Sequence, residues 1–324
     1  MKEIRVGLIG LGIHGARYAH HLETDVPGAL LAAVCRQDRV AGEAFADRRD
    51  VAFFSDFRLL MDSGQVDAVC AVVPPDLHVE IAEAAAAAGV ALLLEKPLAV
   101  DVACARRILQ ASSNSAAAVM VAHTLRYNPV VLRVRELMAG LGRIHLIAVN
   151  QRFEPASRPW LDRPGPGGII LNTGIHEFDL VRFVTHCEIR SVRCLTRRVG
   201  TRRTEDVFAA VMELEPGEVL ATVDASRHVG GRSGRIEVAG ADGQIVADHA
   251  HSWVSRLSGR TSETYRLNEE VPTVRETLVD FVRLVRGEID NPIPVLEGAR
   301  AVAVAEACLR SASTGREEKV ELLQ

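Results

Sequence analysis

Aromatic residues make up only 4% of this 324-residue chain, and no apolar run is long enough to cross a bilayer. Charge of neither sign dominates: 38 Lys and Arg stand against 42 Asp and Glu, a formal net charge of −4. That balance argues against nucleic acid or an anionic membrane as the main partner. Cysteines are few, at positions 35, 70, 104, 187, 194 and 308, and no two form C-x-x-C. Cys35 and Cys70 sit inside apolar runs, so the pattern predicts reduced thiols, no zinc site and a cytoplasmic setting. The N-terminus, "MKEIRVGLIG", has no signal-peptide core and enters strand-like sequence at once. The basic run "TRRVGTRR" at 196–203 reads as a solvated strand edge. What remains is 48% hydrophobic and 25% charged, an ordinary globular composition. At this length it accommodates two domains, which bury enough surface to fold without disulfides or metal.

The first third alternates apolar runs with helical patterns. "IRVGLIG" (4–10), "LLAAVC" (30–35), "VDAVCAVV" (66–73), "VALLLE" (90–95) and "AAVMVAH" (117–123) are apolar on both faces. Strands of a parallel sheet covered by helices on both sides require this. Between them "HGARYAHHLE", "RVAGEAFADR", "DFRLLMDSG", "DLHVEIAEAAAAAG" and "DVACARRILQASS" carry helical spacing. Gly64 and Gly89 fall near C-terminal cap positions. The alternation predicts an α/β fold with a doubly wound parallel sheet.

Beyond residue 123 the texture changes. "RIHLIAVNQRF" (143–153), "DVFAAVMELE" (206–215), "EVLATVDASRH" (218–228) and "RIEVAGADGQIVAD" (235–248) tend to alternate apolar and polar residues. Antiparallel strands with one covered face look like this. "EPGE" (215–218) and "ADGQ" (241–244) supply turns, and helices are expected near 172–186, 273–286 and 296–313. The boundary falls near residue 122: 1–122 as the doubly wound α/β domain, and 123–324 as an α+β domain with a large open, mainly antiparallel sheet.

The chemistry concentrates in a few motifs. "GLIGLGIHGARYA" places Gly10, Gly12 and Gly15 in G-x-G-x-x-G spacing between a strand and a helix. Such glycines allow a tight turn, close approach to a pyrophosphate and close helix packing, and the helix N-terminus offers N–H donors. Ile13 and His14 lie within the same loop. At the end of the second strand stands Arg36, followed by "QDR". An arginine there clamps a 2′-phosphate rather than accepting from a 2′-hydroxyl, which favours NADP(H). The alternative gives Asp38 the acid's role and NAD(H) the site.

"VVPPDLH" (72–78) and "LLLEKPLA" (92–99) place Val73, Pro74, Pro75, Leu77, His78, Glu95 and Lys96 at or just beyond the carboxyl ends of strands, where open α/β sheets bind ligands. Pro97 fixes the backbone after Lys96 and allows a cis bond. Lys96 beside a nicotinamide can bond a substrate hydroxyl and help move its proton. His78 falls in the first turn of the next helix, where the alternative to a cofactor contact is helix-start packing. In "GPGGIILNTGIHEFDLVRF" (165–183), Asn172 and His176 are spaced i, i+4, and Asp179 follows at i+3 from His176. A histidine titrating near neutrality can trade a proton with a hydroxyl or carbonyl. No second ligand cluster accompanies it, so no metal site is expected. Arg126, Tyr127, Arg152 and Trp160 fall on flanking segments and are candidate substrate-pocket residues.

Together, "GLGIHG", "PPDLHVEIAEAAAAAG", "LLLEKPLA", "HTLRYNPVV", "GGIILNTGIHEFDL", "TEDVFAAVMEL" and "PIPVLEGARAVAVAEACLRSASTGR" resemble the Gfo/Idh/MocA-type NAD(P)-dependent oxidoreductases over nearly the whole chain. The resemblance implies a Rossmann domain followed by an α/β domain whose open sheet mediates dimers or tetramers. It implies that Lys96 is the catalytic lysine and His176 its partner. Many members carry Asp where this chain has Asn172; an amide cannot relay a proton, so Asn172 is expected to orient the substrate hydroxyl. NAD users of the family commonly carry Asp at the position of Arg36, which again implies NADP(H).

The expected activity is hydride transfer between NADP(H) and a secondary alcohol or ketone of a sugar, polyol or related small molecule. Two rivals are a non-catalytic dinucleotide sensor and a cofactor-recycling glycosidase or epimerase.

Overall fold

The computed structural model describes residues 3–155, 159–216, 219–267 and 271–323. It divides into two compact units: Met1–Thr124 with Pro272–Ala299, and Leu125–Val271 with Arg300–Gln324.

The first unit holds a six-stranded parallel sheet. Its strands are β1 (Ile4–Ile9), β2 (Ala29–Cys35), β3 (Ala52–Phe54), β4 (Ala68–Ala71), β5 (Ala91–Glu95) and β6 (Val119–Ala122), in the order β3-β2-β1-β4-β5-β6. The order reverses between β1 and β4, which opens a crevice at the carboxyl edge. The connecting helices are α1 (Ile13–Thr24), α2 (Arg39–Asp47), α3 (Phe57–Asp62), α4 (His78–Ala88) and α5 (Val102–Ser113). Short acidic side chains start three of them. Asp38, Asp56 and Asp101 accept from the amides of Ala41, Arg58 and Cys104 at 3.1, 2.8 and 2.7 Å. Gly89, at φ 66°, ends α4 in a left-handed cap. Val6, Leu8, Val69, Leu92 and Leu94 are fully buried, as a sheet covered on both faces demands.

Two features depart from the sequence reading. β3 is only three residues long and half-buried, too short to show a pattern. Residues 272–299, expected with the second part, group with the first unit. Here α8 (Thr273–Val285) packs on α1 and β6. The segment behind it covers the β6 edge: Asn291 Nδ2 donates to the Val119 carbonyl at 2.8 Å, and the Val121 amide donates to the Ile293 carbonyl at 3.0 Å. A bare edge strand would otherwise present unpaired backbone groups.

The second unit is built on a nine-stranded sheet. In chain order the strands are β7 (Ile144–Arg152), β8 (Glu188–Arg197), β9 (Val207–Glu215), β10 (Val219–Ser226), β11 (Ser233–Gly240), β12 (Gly243–Asp248), β13 (Trp253–Ser258), β14 (Thr261–Arg266) and β15 (Glu318–Lys319). They lie in the order β14-β13-β12-β11-β7-β10-β9-β8-β15; only β7 and β10 pair in parallel. The sheet is larger than the alternating segments foretell, because β8, β13 and β14 carry arginines and hydroxyls on inconsistent faces. The run "TRRVGTRR" is the end of β8 and the loop after it. The turn at 215–218 includes residues 217 and 218, which lie outside the described residues. On one face, α6 (Pro129–Leu137) packs against β12 and β13, and α7 (Ile175–Thr185) against β7 and β10. Phe208, Ala210, Met212 and Leu214 point into that covered face. The opposite face leaves Leu146, Leu195, Val211 and Leu220 exposed. The last long helix of the chain is α9 (Val295–Thr314). Among the described residues, no helix is long and apolar enough to cross a membrane.

Candidate active site

The glycine loop after β1 has the geometry a dinucleotide needs. Gly10 adopts φ 95°, and a Cβ there would lie 2.2 Å from the Val72 carbonyl oxygen. A Cβ on Gly15 would lie 2.0 Å from the Gly10 carbonyl oxygen, so only glycine lets α1 approach β1 this closely. At Gly12, by contrast, a Cβ would meet nothing within 4 Å. That open space lies at the start of α1, where no side chain caps the helix and its amides can face an anion. Ile13, 82% exposed, stands on the rim.

Beside this loop is a cavity of about 420 Å³, lined among others by Gly10, Arg36, Asp38, Arg58, Val73 and Pro74. It runs along the carboxyl ends of β1 to β4, the expected place for the adenosine half of a dinucleotide. Asp38 is engaged here, because one carboxylate oxygen caps α2 and the other lies 3.6 Å from an Arg36 terminal nitrogen. Arg58, stacked on the Phe57 ring at 4.4 Å, adds a second guanidinium that sequence reading missed; three-dimensional proximity alone reveals it. The donors, the open glycine cradle and the cavity fit a nicotinamide dinucleotide.

From Val90 to Ala99, Lys96 is the only residue that is not buried. The core strand β5 thus delivers one lysine to the carboxyl edge, and the Lys96–Pro97 peptide is cis. Glu95 does not share the surface. Its carboxylate lies beneath it, accepting from the Tyr18 hydroxyl at 2.5 Å and the Lys96 amide at 3.0 Å, with His14 Nε2 at 2.7 Å. Burial works to raise the Glu95 pKa. The hydrogen bond and charge of His14, the charge of Lys96 and the Tyr18 hydroxyl prevail and hold it below the usual carboxylate range. Burial and the Glu95 charge push the Tyr18 hydroxyl well up. Tyr18 was not identified from sequence; its signal was a tyrosine on the inward face of α1, whose hydroxyl requires a partner. Of the remaining cofactor-side candidates, Pro74 is exposed, Val73 and Leu77 are half-buried, and Pro75 is buried. His78 has no exposed surface and contacts two backbone carbonyls, so it lies under the site rather than in its wall.

The second unit repeats the pattern. From Gly167 to Arg182 every residue is buried except Asn172 and His176. Asn172 lies in a π-helical turn (Ile170–Gly174) that leads directly into α7. Such a turn often marks a functional position, where an extra residue re-aims side chains. A Cβ on Gly168 would strike the Glu205 carboxylate at 2.2 Å, and Glu205 Oε1 accepts the Ile170 amide at 3.2 Å. Arg227 Nη1 donates to the Gly167 carbonyl at 2.8 Å. Burial raises the Glu205 pKa and lowers that of Arg227 to about 10. Both supports come from loop residues distant in sequence, Glu205 just before β9 and Arg227 just after β10, and were invisible locally.

The other substrate-side candidates are dispersed. Arg126 and Asp179 form a two-point ion pair at 2.9 and 2.6 Å, buried on both sides, with Arg126 also over the Phe183 ring. Each charge faces the other directly. Arg152 lies on the sheet face away from α7 and pairs with Asp224, because alternation along β7 turns Ile147, Val149 and Gln151 inward instead. Tyr127 is half-buried and Trp160 45% exposed.

A profile described as "Oxidoreductase family, NAD-binding Rossmann fold" matches residues 4–123, and the "GFO/IDH/MocA C-terminal domain" matches residues 131–246. The chain belongs to the Gfo/Idh/MocA family. This family member is therefore an NAD(P)-dependent oxidoreductase. It is 30% identical to inositol 2-dehydrogenase 2 of Saccharopolyspora erythraea, over 98% of this chain and 96% of that protein. It is 25% identical to the inositol 2-dehydrogenase of Rhizobium meliloti, over 97% and 98% of the two chains. Among solved structures, an oxidoreductase domain protein from Kribbella flavida superposes with a TM-score of 0.91 at 22% identity, covering 99% of this Gfo/Idh/MocA chain and all of that one. That likeness shows the shared fold.

Proposed function

We propose that this oxidoreductase interconverts a secondary alcohol and a ketone on a cyclic polyol or sugar, using NADP(H) in preference to NAD(H). The observation that carries the reading is Lys96, the sole accessible residue of an otherwise buried strand end, at the sheet edge where the dinucleotide fits. Bound there, the nicotinamide supplies or accepts the hydride. Lys96 holds and polarises the reacting oxygen. His176 gives or takes its proton, and Asn172 orients the hydroxyl through one hydrogen bond. In this reading the first unit holds the dinucleotide and the second supplies the substrate pocket. Trp160 and Tyr127 remain candidate walls of that pocket.

The substrate class rests on the full-length similarity to inositol 2-dehydrogenases. The cofactor preference rests on Arg36 and Arg58 in the adenosine cavity and on the engagement of Asp38 in capping. A guanidinium pair suits a 2′-phosphate. The chain works as a homodimer or tetramer through the open face of its second sheet, in a compartment that keeps its buried thiols reduced.

The test is a panel of inositols, aldoses and ketoses followed at the nicotinamide absorbance with each cofactor. Net turnover of a polyol with NADP⁺ is expected. Dinucleotide binding without turnover of any substrate overturns the reading in favour of a sensor. Product formation with no net absorbance change overturns it in favour of a recycling enzyme.

A further inference from the structure

His78 lies at the first residue of α4 with no exposed surface. Its Nδ1 is 3.0 Å from the Leu98 carbonyl oxygen, and its Nε2 is 3.2 Å from the Val73 carbonyl oxygen. Both neighbours are acceptors. Leu98 lies two residues beyond Lys96, across the cis peptide, and Val73 belongs to the loop lining the dinucleotide cavity. The ring thus stands between the loop that carries the lysine and the loop that faces the cofactor.

A neutral imidazole has one N–H and cannot satisfy two acceptors. Burial lowers the His78 pKa and favours that neutral form, although both carbonyls and the Glu95 and Asp76 charges pull the other way. The shorter contact takes the hydrogen: Nδ1–H donates to Leu98, and the Nε2 lone pair is left facing the Val73 oxygen. The tautomer is assigned from these distances. One loop is tied by a hydrogen bond, and the other merely abuts the ring.

We propose that His78 is a positioning residue whose single ring proton, given to the Leu98 carbonyl, holds the Lys96 loop in place while leaving the Val73 loop untied for the entering dinucleotide. His78 meets neither substrate nor solvent and acts through Lys96. The proposal rests on the role given to Lys96 above, but one of its tests does not depend on that role.

Asparagine and glutamine separate the two contacts. In His78→Asn the amide falls near the Nδ1 position and can donate to Leu98. In His78→Gln it falls near Nε2 and can donate only toward Val73. We expect His78→Asn to keep kcat within about threefold of the native enzyme. We expect His78→Gln to lose about tenfold or more, the usual cost of a buried carbonyl left without its donor. Dinucleotide affinity, read by fluorescence titration, should stay within about threefold in both.

The sequence contains only three lysines, Lys2, Lys96 and Lys319, so ¹³C reductive methylation resolves each by NMR. The Lys96 resonance should shift or broaden in His78→Gln and remain in place in His78→Asn, whatever the substrate proves to be. Equal kcat in the two variants, or an unmoved Lys96 signal in folded His78→Gln, overturns the proposal. So does failure of both variants to fold by circular dichroism, which would make His78 a core residue only. If Lys96→Ala is fully active while the Lys96 signal still separates the two His78 variants, the functional reading fails and the positioning role stands.

Discussion

The Tyr18 hydroxyl donates to Glu95 Oε1 across 2.5 Å in the buried layer beneath Lys96. The hydrogen bond and charge of His14, the charge of Lys96 and this hydroxyl together make Glu95 a carboxylate that prefers to stay ionised although it is buried. Its pKa is depressed in the folded chain, so the unfolded chain binds the proton more readily. The stabilisation is therefore complete above the usual carboxylate value of 4.5 and is lost as pH falls through the lower folded value. Urea unfolding of the native protein should show stability falling through this window. In Glu95→Gln the drop should be smaller. An identical acid limb in the two proteins would remove Glu95 from the account.

Lys96→Ala should lose about 10²–10⁴ in turnover, the usual size of one acid–base contribution. Dinucleotide affinity should persist, because the glycine loop and the α1 N-terminus lie on separate residues. His176→Ala should cost a similar factor, and the double variant little more than either single one, as for groups acting as a unit. Asn172→Ala should cost about tenfold through one lost hydrogen bond. Steady-state kinetics beside binding titrations checks all four; unchanged turnover in Lys96→Ala returns the lysine to a surface role.

Arg36→Asp should weaken NADPH binding by roughly ten- to a hundredfold and improve NADH relative to it, since one charged contact to the 2′-phosphate is worth about 1.5–3 kcal/mol. Arg58→Ala should weaken NADPH in the same direction and leave NADH nearly untouched. Equal native affinity for the two dinucleotides, measured by fluorescence quenching, contradicts the preference.

The open face of the second sheet presents Leu195, Val211 and Leu220, 48–63% exposed. A patch of this kind is suited to association with a second copy. Light scattering at micromolar concentration should report a dimer or tetramer, and Val211→Asp with Leu220→Asp should shift it toward monomer. A monomeric native protein defeats this expectation.

Arg126 and Asp179 should behave as a structural pair. Removing one partner by Arg126→Ala leaves a buried charge and should cost about 3–5 kcal/mol of unfolding free energy. Arg126→Met with Asp179→Leu should cost less than the single change, because no charge is left behind. A single variant that keeps its stability but loses substrate affinity would restore Arg126 to the pocket.

Much of this protein is determined by local sequence. The parallel sheet follows from runs apolar on both faces, the dinucleotide loop from three glycines, and the lysine delivered just past β5 from "LLLEKP". These are short-range facts: backbone conformation and periodicity are written within a few residues. Tertiary structure alone decided which charged residues are paired within the protein. It buried Glu95 under Lys96 and Asp179 against Arg126, and it turned Arg152 to the far side of its sheet. It set Arg58 in the cavity that Arg36 also lines, and it grouped residues 272–299 with the first unit, where they cover an edge strand. The reason is common to all of these. Whether a charged side chain contacts ligand or protein depends on partners tens to hundreds of residues away, and the free energy of burying it depends on whether such a partner is present.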